Sequence, residues 1–343
     1  MHRIGLGLLA FVVLFLSACA KAPLHRQESY VFGTRVEVLV AGLAEARARP
    51  AATAVLREFD RLHRTYHAWQ PSELSDVNAA FAAGREIEVS QEMANFIVDA
   101  QRLAAASDGL FDPGIGGLIR LWGFQSDDFQ ARLPDTAALE AWRTAKPGIG
   151  DVRVEGTRVS SRNKAVAIDF GGYLKGVALD RAVAILKAQG VSNALINIGG
   201  NVMAMGNKNG EPWRVGIQHP RHPGPLATID LRDGEAIGTS GDYQRYFELD
   251  GKRYCHLLDP RRGEPVSHTQ ALTVLVEARS GAGTLSDAGS KPLFIAGPDW
   301  PSAARKMGID KVLRVDAEGR IQVSQAMRSR LEFVDGAEKL VQP

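Results

Sequence analysis

The chain has 343 residues, and its 41 Lys and Arg against 39 Asp and Glu give a formal net charge of +2, too weak a field to recruit nucleic acid. No basic cluster with interleaved aromatics overrides that balance, and the 35 glycines are scattered as single and paired turn positions with no internal repeat. With 45% hydrophobic residues and only two cysteines, the fold has to be held by its own core and not by a disulfide framework.

The first segment reads as an address. His2 and Arg3 precede an apolar run over residues 4–16, followed by Leu16-Ser17-Ala18-Cys19, the pattern of a secretory signal over 1–18. The run is shorter than the ~20 residues that span a bilayer, which disfavours a transmembrane anchor. Cys19 directly after Leu-Ser-Ala resembles the bacterial lipoprotein signal, in which the cysteine is lipidated and becomes the new N-terminus. Acyl chains contribute about 0.8 kcal/mol per buried CH₂, so a multiply acylated Cys19 would anchor the chain to a membrane. Ala20, not Asp, follows it, which points to the outer membrane and a periplasm-facing protein. Cys255 is then the one remaining thiol, and no intramolecular disulfide forms in the mature chain.

Residues 19–28 read as a polar tether, and 30–40 alternate as a half-buried strand should. Val55, Leu56, Phe59 and Leu62 give residues 44–67 a helical period. Ser90 is an N-cap for a second helix, with Met93, Phe96, Ile97, Ala100, Leu103 and Ala104 on one face and Gly109 past its end. A third helix covers 175–189 and is closed by Gly190. Strand-like runs follow at 194–198, 213–218, 226–231, 246–249 and 272–277, and a polar tail at 335–343. Helices and strands come in blocks, not in strict βαβ alternation. That predicts an α+β fold over 29–334, one compound domain of mixed or antiparallel sheets with packed helices.

Six segments, taken in order, resemble those of the FAD:protein FMN transferases, the ApbE-type flavin transferases. They are Phe32-Gly33-Thr34; Trp69-Gln70-Pro71-Ser72-Glu73-Leu74-Ser75-Asp76-Val77-Asn78; Gly109-Leu110-Phe111-Asp112-Pro113 with Leu121-Trp122-Gly123-Phe124; Ile168-Asp169-Phe170-Gly171-Gly172-Tyr173-Leu174-Lys175-Gly176 with Asp180; Asn197-Ile198-Gly199-Gly200-Asn201; and Thr239-Ser240-Gly241-Asp242-Tyr243, followed by Tyr254-Cys255-His256-Leu257-Leu258-Asp259-Pro260. The resemblance implies transfer of FMN from FAD to a Ser or Thr of a partner redox protein as a phosphoester, with AMP released and Mg²⁺ assisting. It also implies that Leu110, Phe111, Asp112, Asp169 and Leu258 contact the nucleotide, and that the Gly172 carbonyl and Asp287 bind the metal.

The residue chemistry is compatible with this. FAD offers two flat ring systems joined by a doubly charged pyrophosphate. Phe32 and Trp69 are candidates for ring contacts, worth about 0.5–1.5 kcal/mol per aromatic pair beyond burial; core packing is the other reading of Trp69, although Gln70-Pro71-Ser72 looks like an exposed loop. Phe111 could equally be a core residue. Gly171 and Gly172 allow close approach of the backbone, and Lys175 sits just inside a helix N-terminus, where free N–H groups favour an anion.

In Ser286-Asp287-Ala288-Gly289-Ser290-Lys291, Asp287 and Ser290 fit the family's second metal-ligand stretch, but Lys291 falls where a Thr is expected. An ammonium has no lone pair for a hard cation that takes oxygen ligands. Two unit charges about 4 Å apart repel by roughly 4 kcal/mol at an effective dielectric near 20. Lys291 therefore either points away or takes over part of the metal's role at the pyrophosphate.

His256 is the candidate base for the acceptor hydroxyl, and Asp259 would orient it or hold the flavin end; the competing reading makes His256 a buried strand residue and Asp259 a turn cap. Two further functions stay open: an FAD pyrophosphatase that yields FMN and AMP, and a non-catalytic FAD-binding lipoprotein impaired by Lys291. No Gly-x-Gly-x-x-Gly follows a strand, no Gly-x-Ser-x-Gly elbow is present, and the His219/His222 pair lacks further ligands. Cys255 and His256 are adjacent on an expected strand and would point to opposite faces, which argues against a thiol nucleophile.

Overall fold

The computed structural model describes residues 23–126, 128, 130–334 and 336, so the expected signal, Cys19 and nearly all of the 335–343 tail lie outside the described residues. Its centre is a sheet of eight strands: Leu24–Val31, Thr34–Ala41, Ala194–Ile198, Asn201–Met205, Ala236–Gly241, Thr269–Val276, Lys311–Asp316 and Ile321–Val323. They lie side by side in chain order, and each pairing between neighbours is antiparallel. The rest of the chain is inserted between successive strands, which gives the α+β architecture expected from the block order.

One insertion carries the helices Glu45–Thr65, Glu73–Ala83, Gln91–Ala106 and Leu174–Ala188. The Gln91–Ala106 helix begins where its cap predicts, with the Ser90 hydroxyl accepting from the Met93 N–H at 3.1 Å, and it buries the expected apolar face. One face of the main sheet packs through Val36, Val38, Ile196 and Val274 against the helical side, including Phe59, Leu62 and Ala178. The other face packs through Val202, Leu275 and Leu313 against a three-stranded sheet of Trp213–Gln218, Pro225–Leu231 and Leu331–Phe333. With both faces covered, Thr269–Val276 is buried along its whole length.

Two expectations need correction. The stretch 30–40 is not one strand but a hairpin. Val31 pairs with Thr34, and the two turn residues Phe32 and Gly33 both have positive φ, 57° and 67°. The turn moves the buried face from Val31 to Val36, Val38 and Val40, but the residue types alternate straight through it, and Phe32 carries none of the Asn or Gly signal that such turns usually show. The first strand also starts at Leu24, inside the stretch expected to be a tether. After Trp69, Gln70 and Pro71 are exposed in a short loop, as expected, and a helix follows from Glu73, opened by a reciprocal Ser72/Ser75 capping box.

The helix Ala282–Ala296 gave no periodic signal. Eleven of its fifteen residues are buried, so it has no solvent face to create a period, and it contains Pro292. It is wedged between the Leu174–Ala188 helix and the Ala236–Gly241 strand. A Cβ on Gly176 would lie 2.5 Å from the Gly283 carbonyl oxygen, and one on Gly238 would lie 2.1 Å from that of Ser286. Both positions need glycine because backbone touches backbone there. Among the described residues, no helix is long and apolar enough to cross a membrane.

Candidate active site

The contact at Gly176 brings the start of one helix onto Asp287 in the next. The Gly176 N–H donates to Asp287 Oδ2 at 2.9 Å, and Asn201 Nδ2 donates to Oδ1 at 2.9 Å. Lys291, one turn along the same helix, completes the set: its ammonium bonds Asp287 Oδ1 and also the Asp287 carbonyl, the latter at 2.8 Å. Asp287 is wholly buried, whereas the Lys291 side chain keeps 15% of its surface exposed. Burial alone would raise the Asp287 pKa, but Lys291 and Lys175, together with the hydrogen bonds, hold it below the usual carboxylate range.

The loop before Gly176 supplies a second carboxylate. Asp169 Oδ1 accepts from the Gly171 N–H at 2.6 Å, and Oδ2 accepts from Trp69 Nε1 at 3.1 Å. The Arg120 guanidinium lies 5.1 Å from the centre of the Trp69 ring. The expected ring-contact residue is thus partly exposed and tied to Asp169, not packed in the core. Burial raises the Asp169 pKa against these bonds and the charge of Arg245. Asn78 fixes the approach to this loop by exchanging bonds with the Ile168 N–H at 2.6 Å and carbonyl at 2.9 Å. Burial lowers the Lys175 pKa, opposed by the Asp287 charge.

His256 lies in the turn after the strand Lys252–Cys255, not within a strand. Its N–H donates to the Arg245 carbonyl at 3.0 Å, and its Nδ1 is 3.1 Å from the same oxygen. A carbonyl only accepts, so Nδ1 carries the proton and Nε2 is left as a lone-pair acceptor. Burial first, then the charges of Arg245, Lys175 and Lys291, pushes the His256 pKa down to about 3. The imidazole is therefore neutral at ordinary pH. Its neighbours also show that His256, Lys175, Lys291 and Arg245 share one electrostatic environment.

The orienting role expected of Asp259 is not what the structure shows. Its carboxylate accepts from the Arg261 N–H at 2.9 Å and from the Arg261 guanidinium at 3.0 and 2.8 Å, and its carbonyl accepts from Gly263 at 2.8 Å. It closes the Asp259–Gly263 turn, and His256 is oriented by Arg245 instead. Leu258 is buried with Trp122, Phe124, Trp142 and Phe247, so its side chain supports the turn from below. Cys255 is buried and its thiol is pushed up to about 12, chiefly by burial, which removes it as a nucleophile.

Other expected contacts are partly structural. Asp112 Oδ1 accepts from the N–H groups of Gly114 at 2.7 Å and Ile149 at 2.8 Å, a backbone clamp. Leu110 and Phe111 are buried, and the Phe111 ring borders Gly172. Phe32 meets Phe59 at a tilt and His63 edge-on, with ring centroids at 6.1 and 5.6 Å. Asp180 accepts from the Gly283 and Thr284 N–H groups at 2.9 Å each, capping the buried helix. Sequence reasoning missed Arg245 and the role of Asn201. Arg245 follows the Thr239-Ser240-Gly241-Asp242-Tyr243 motif closely, which was its one signal.

The residues do not fit the expected Mg²⁺ site as it stands. Both Asp287 oxygens are engaged, the position of the expected Thr holds an ammonium, and the Ser290 hydroxyl is tied to Ser240 and to the Asp287 carbonyl at 2.8 Å each. Among the described residues no group of three or more His, Cys, Asp or Glu could hold a metal ion.

A model described as the ApbE family matches residues 32–313. Over 338 residues the chain is 41% identical to an FAD:protein FMN transferase of Rhodobacter capsulatus, covering 97% of this chain and 64% of that protein. It is 32% identical over 299 residues to an FAD:protein FMN transferase of Klebsiella pneumoniae (strain 342), covering 85% and 81%. Its fold is similar to the crystal structure of the ApbE protein from Thermotoga maritima, with a TM-score of 0.82, 32% identity, and coverage of 90% of this chain and 99% of that one. This chain thus spans less than two thirds of the length of the Rhodobacter relative.

Proposed function

Because the chain belongs to the ApbE family, we propose that it transfers the FMN half of FAD to a Ser or Thr hydroxyl of a partner redox protein and releases AMP. The observation that carries this reading is the cluster of Asp169, Lys175, His256, Asp287 and Lys291 around the start of the Leu174–Ala188 helix. It combines two lysine cations with a neutral imidazole.

In the reaction, the acceptor oxygen forms a bond to the FMN-side phosphorus as the bond from that phosphorus to the AMP oxygen breaks. His256 Nε2 takes the hydroxyl proton, a role typically worth ~10²–10⁴ in rate. In the bare site its basicity is held low first by burial and then by the charges of Arg245, Lys175 and Lys291. A bound diphosphate offsets the part that comes from those charges. Lys175 and Lys291 stabilise the negative charge that builds on the phosphoryl oxygens. Mg²⁺, which the family resemblance implies, carries no step in this reading, because Lys291 already bonds the Asp287 carboxylate.

The reading also includes a lipid anchor on Cys19 and a periplasm-facing position at the outer membrane, supported by residues 1–19. Cys19→Ser should move the protein from the membrane to the soluble fraction, and unchanged partitioning would remove the anchor from the account. The transfer itself is tested by chromatography of FAD incubations with and without acceptor protein. AMP release that depends on the acceptor supports transfer; acceptor-independent conversion to free FMN and AMP contradicts it.

A further inference from the structure

Resting on the flavin-transfer reading, we propose that the Lys291 ammonium is the resident cation of this site, standing where a divalent ion would otherwise bridge Asp287 and the FAD diphosphate, so that FAD binding does not require a metal. The geometry gives three supports. Lys291 Nζ bonds both the carboxylate and the main-chain carbonyl of Asp287, so the ammonium is fixed by two oxygens of one residue. The lysine stem runs along Gly172, whose Cβ, if present, would lie 3.5 Å from Lys291 Cε and 3.8 Å from Cδ. The stem thus passes Gly172 on its way to Asp287, the two residues assigned to metal binding. Finally, Gly176 donates to Oδ2 and Asn201 to Oδ1, so both oxygens of the carboxylate are already engaged.

An ammonium has three N–H donors, and two of these serve Asp287. The third is left for a phosphate oxygen, and the side chain is 15% exposed on an otherwise buried helix. A divalent ion that approached Asp287 would have to displace a cation tethered to the same helix one turn away. A Lys with a flexible stem can follow the diphosphate as charge develops, but as a point charge it contributes one positive charge where the metal contributes two.

Two measurements on the full chain test this, with Lys291→Thr and Lys291→Arg as variants and thermal melts to establish that each is folded. Mn²⁺ titration without flavin reads the metal site directly. The wild-type protein should bind Mn²⁺ at least tenfold more weakly than Lys291→Thr, and Lys291→Arg should resemble wild type. Equal Mn²⁺ binding by wild type and Lys291→Thr would overturn the proposal. In flavin fluorescence titrations, chelation with EDTA should change wild-type FAD affinity less than threefold. Lys291→Thr should lose at least tenfold under EDTA and regain it with Mg²⁺. Wild-type binding that collapses in EDTA and returns with Mg²⁺ would also overturn the proposal while leaving the flavin reading intact. If no protein binds FAD under any condition, the flavin reading falls, and the Mn²⁺ comparison still decides whether Lys291 replaces the metal.

Discussion

Lys291 bonds the side chain and the main-chain carbonyl of Asp287 one helical turn before it, and this pair is the electrostatic pivot of the site. Asp287 is fully buried and Lys291 nearly so, so neither charge is well served by water if its partner is removed. Breaking such a pair costs about 3 kcal/mol or more, because the survivor is left uncompensated. Asp287→Asn and Lys291→Met should each lower unfolding stability by about that amount. The double variant should cost at least 1 kcal/mol less than the sum, as read from urea denaturation. Additive losses would mean that the two charges are solvated independently.

Replacing His256 by Asn should reduce transfer by about 10²–10⁴-fold while changing FAD affinity little, since the imidazole is assigned to the acceptor proton. A parallel loss of FAD binding would reassign His256 to positioning the nucleotide.

The same residue sets a pH dependence of stability. Its folded pKa of about 3 lies below the ordinary 6.5, so the unfolded chain takes up a proton first as pH falls. Stability from this group is therefore fully present above about pH 6.5 and is lost progressively down to about pH 3. In that window one differential proton corresponds to a slope of roughly 1.4 kcal/mol per pH unit, which His256→Asn should remove. Urea melts from pH 4 to 8 on both proteins measure the difference, and identical slopes would show that His256 is solvated when folded.

Trp69→Phe keeps an aromatic ring but deletes the Nε1 hydrogen bond to Asp169. A hydrogen bond to a charged group is worth about 1.5–3 kcal/mol of stability, so the loss should appear as a lowered unfolding stability of about that size together with weaker FAD binding. Unchanged affinity would make the Trp69–Asp169 bond irrelevant to the nucleotide.

Gly176→Ala inserts a methyl group 2.5 Å from the Gly283 carbonyl oxygen, a backbone atom that cannot rotate away. The Leu174–Ala188 helix must then lift off its neighbour, at a cost of roughly 1–3 kcal/mol, and Asp287 loses its Gly176 N–H. Both reduced stability and weaker FAD binding are expected; a normal denaturation midpoint would refute the close helix contact.

What could be read in the chain and what could not divide along physical lines. Periodic helices such as Gln91–Ala106 were legible because they have one buried and one wet face. The Ala282–Ala296 helix was not, being buried on nearly all sides. The hairpin at Phe32 hid because the residue types alternate through it although the buried face switches from Val31 to Val36, and its first turn residue is not a turn former. At the site, Asp169, Lys175, His256 and Asp287 were legible through their motifs. Asp112 and Asp259 lie in equally suggestive motifs but bond local backbone and Arg261, respectively, since an Asp before Gly or Pro serves turn geometry as readily as chemistry. Arg245 had only its nearness to the Thr239–Tyr243 motif as a signal, because its part comes from where the fold carries it, beside His256.

The central claim is covalent flavin transfer, and the most direct measurement is in-gel flavin fluorescence of an acceptor protein after incubation with this protein and FAD. The account predicts a fluorescent band that survives denaturing electrophoresis, with one AMP released per flavin attached, lost when the acceptor hydroxyl is removed and sharply reduced in His256→Asn. FAD consumed to free FMN and AMP with no labelled protein would contradict it.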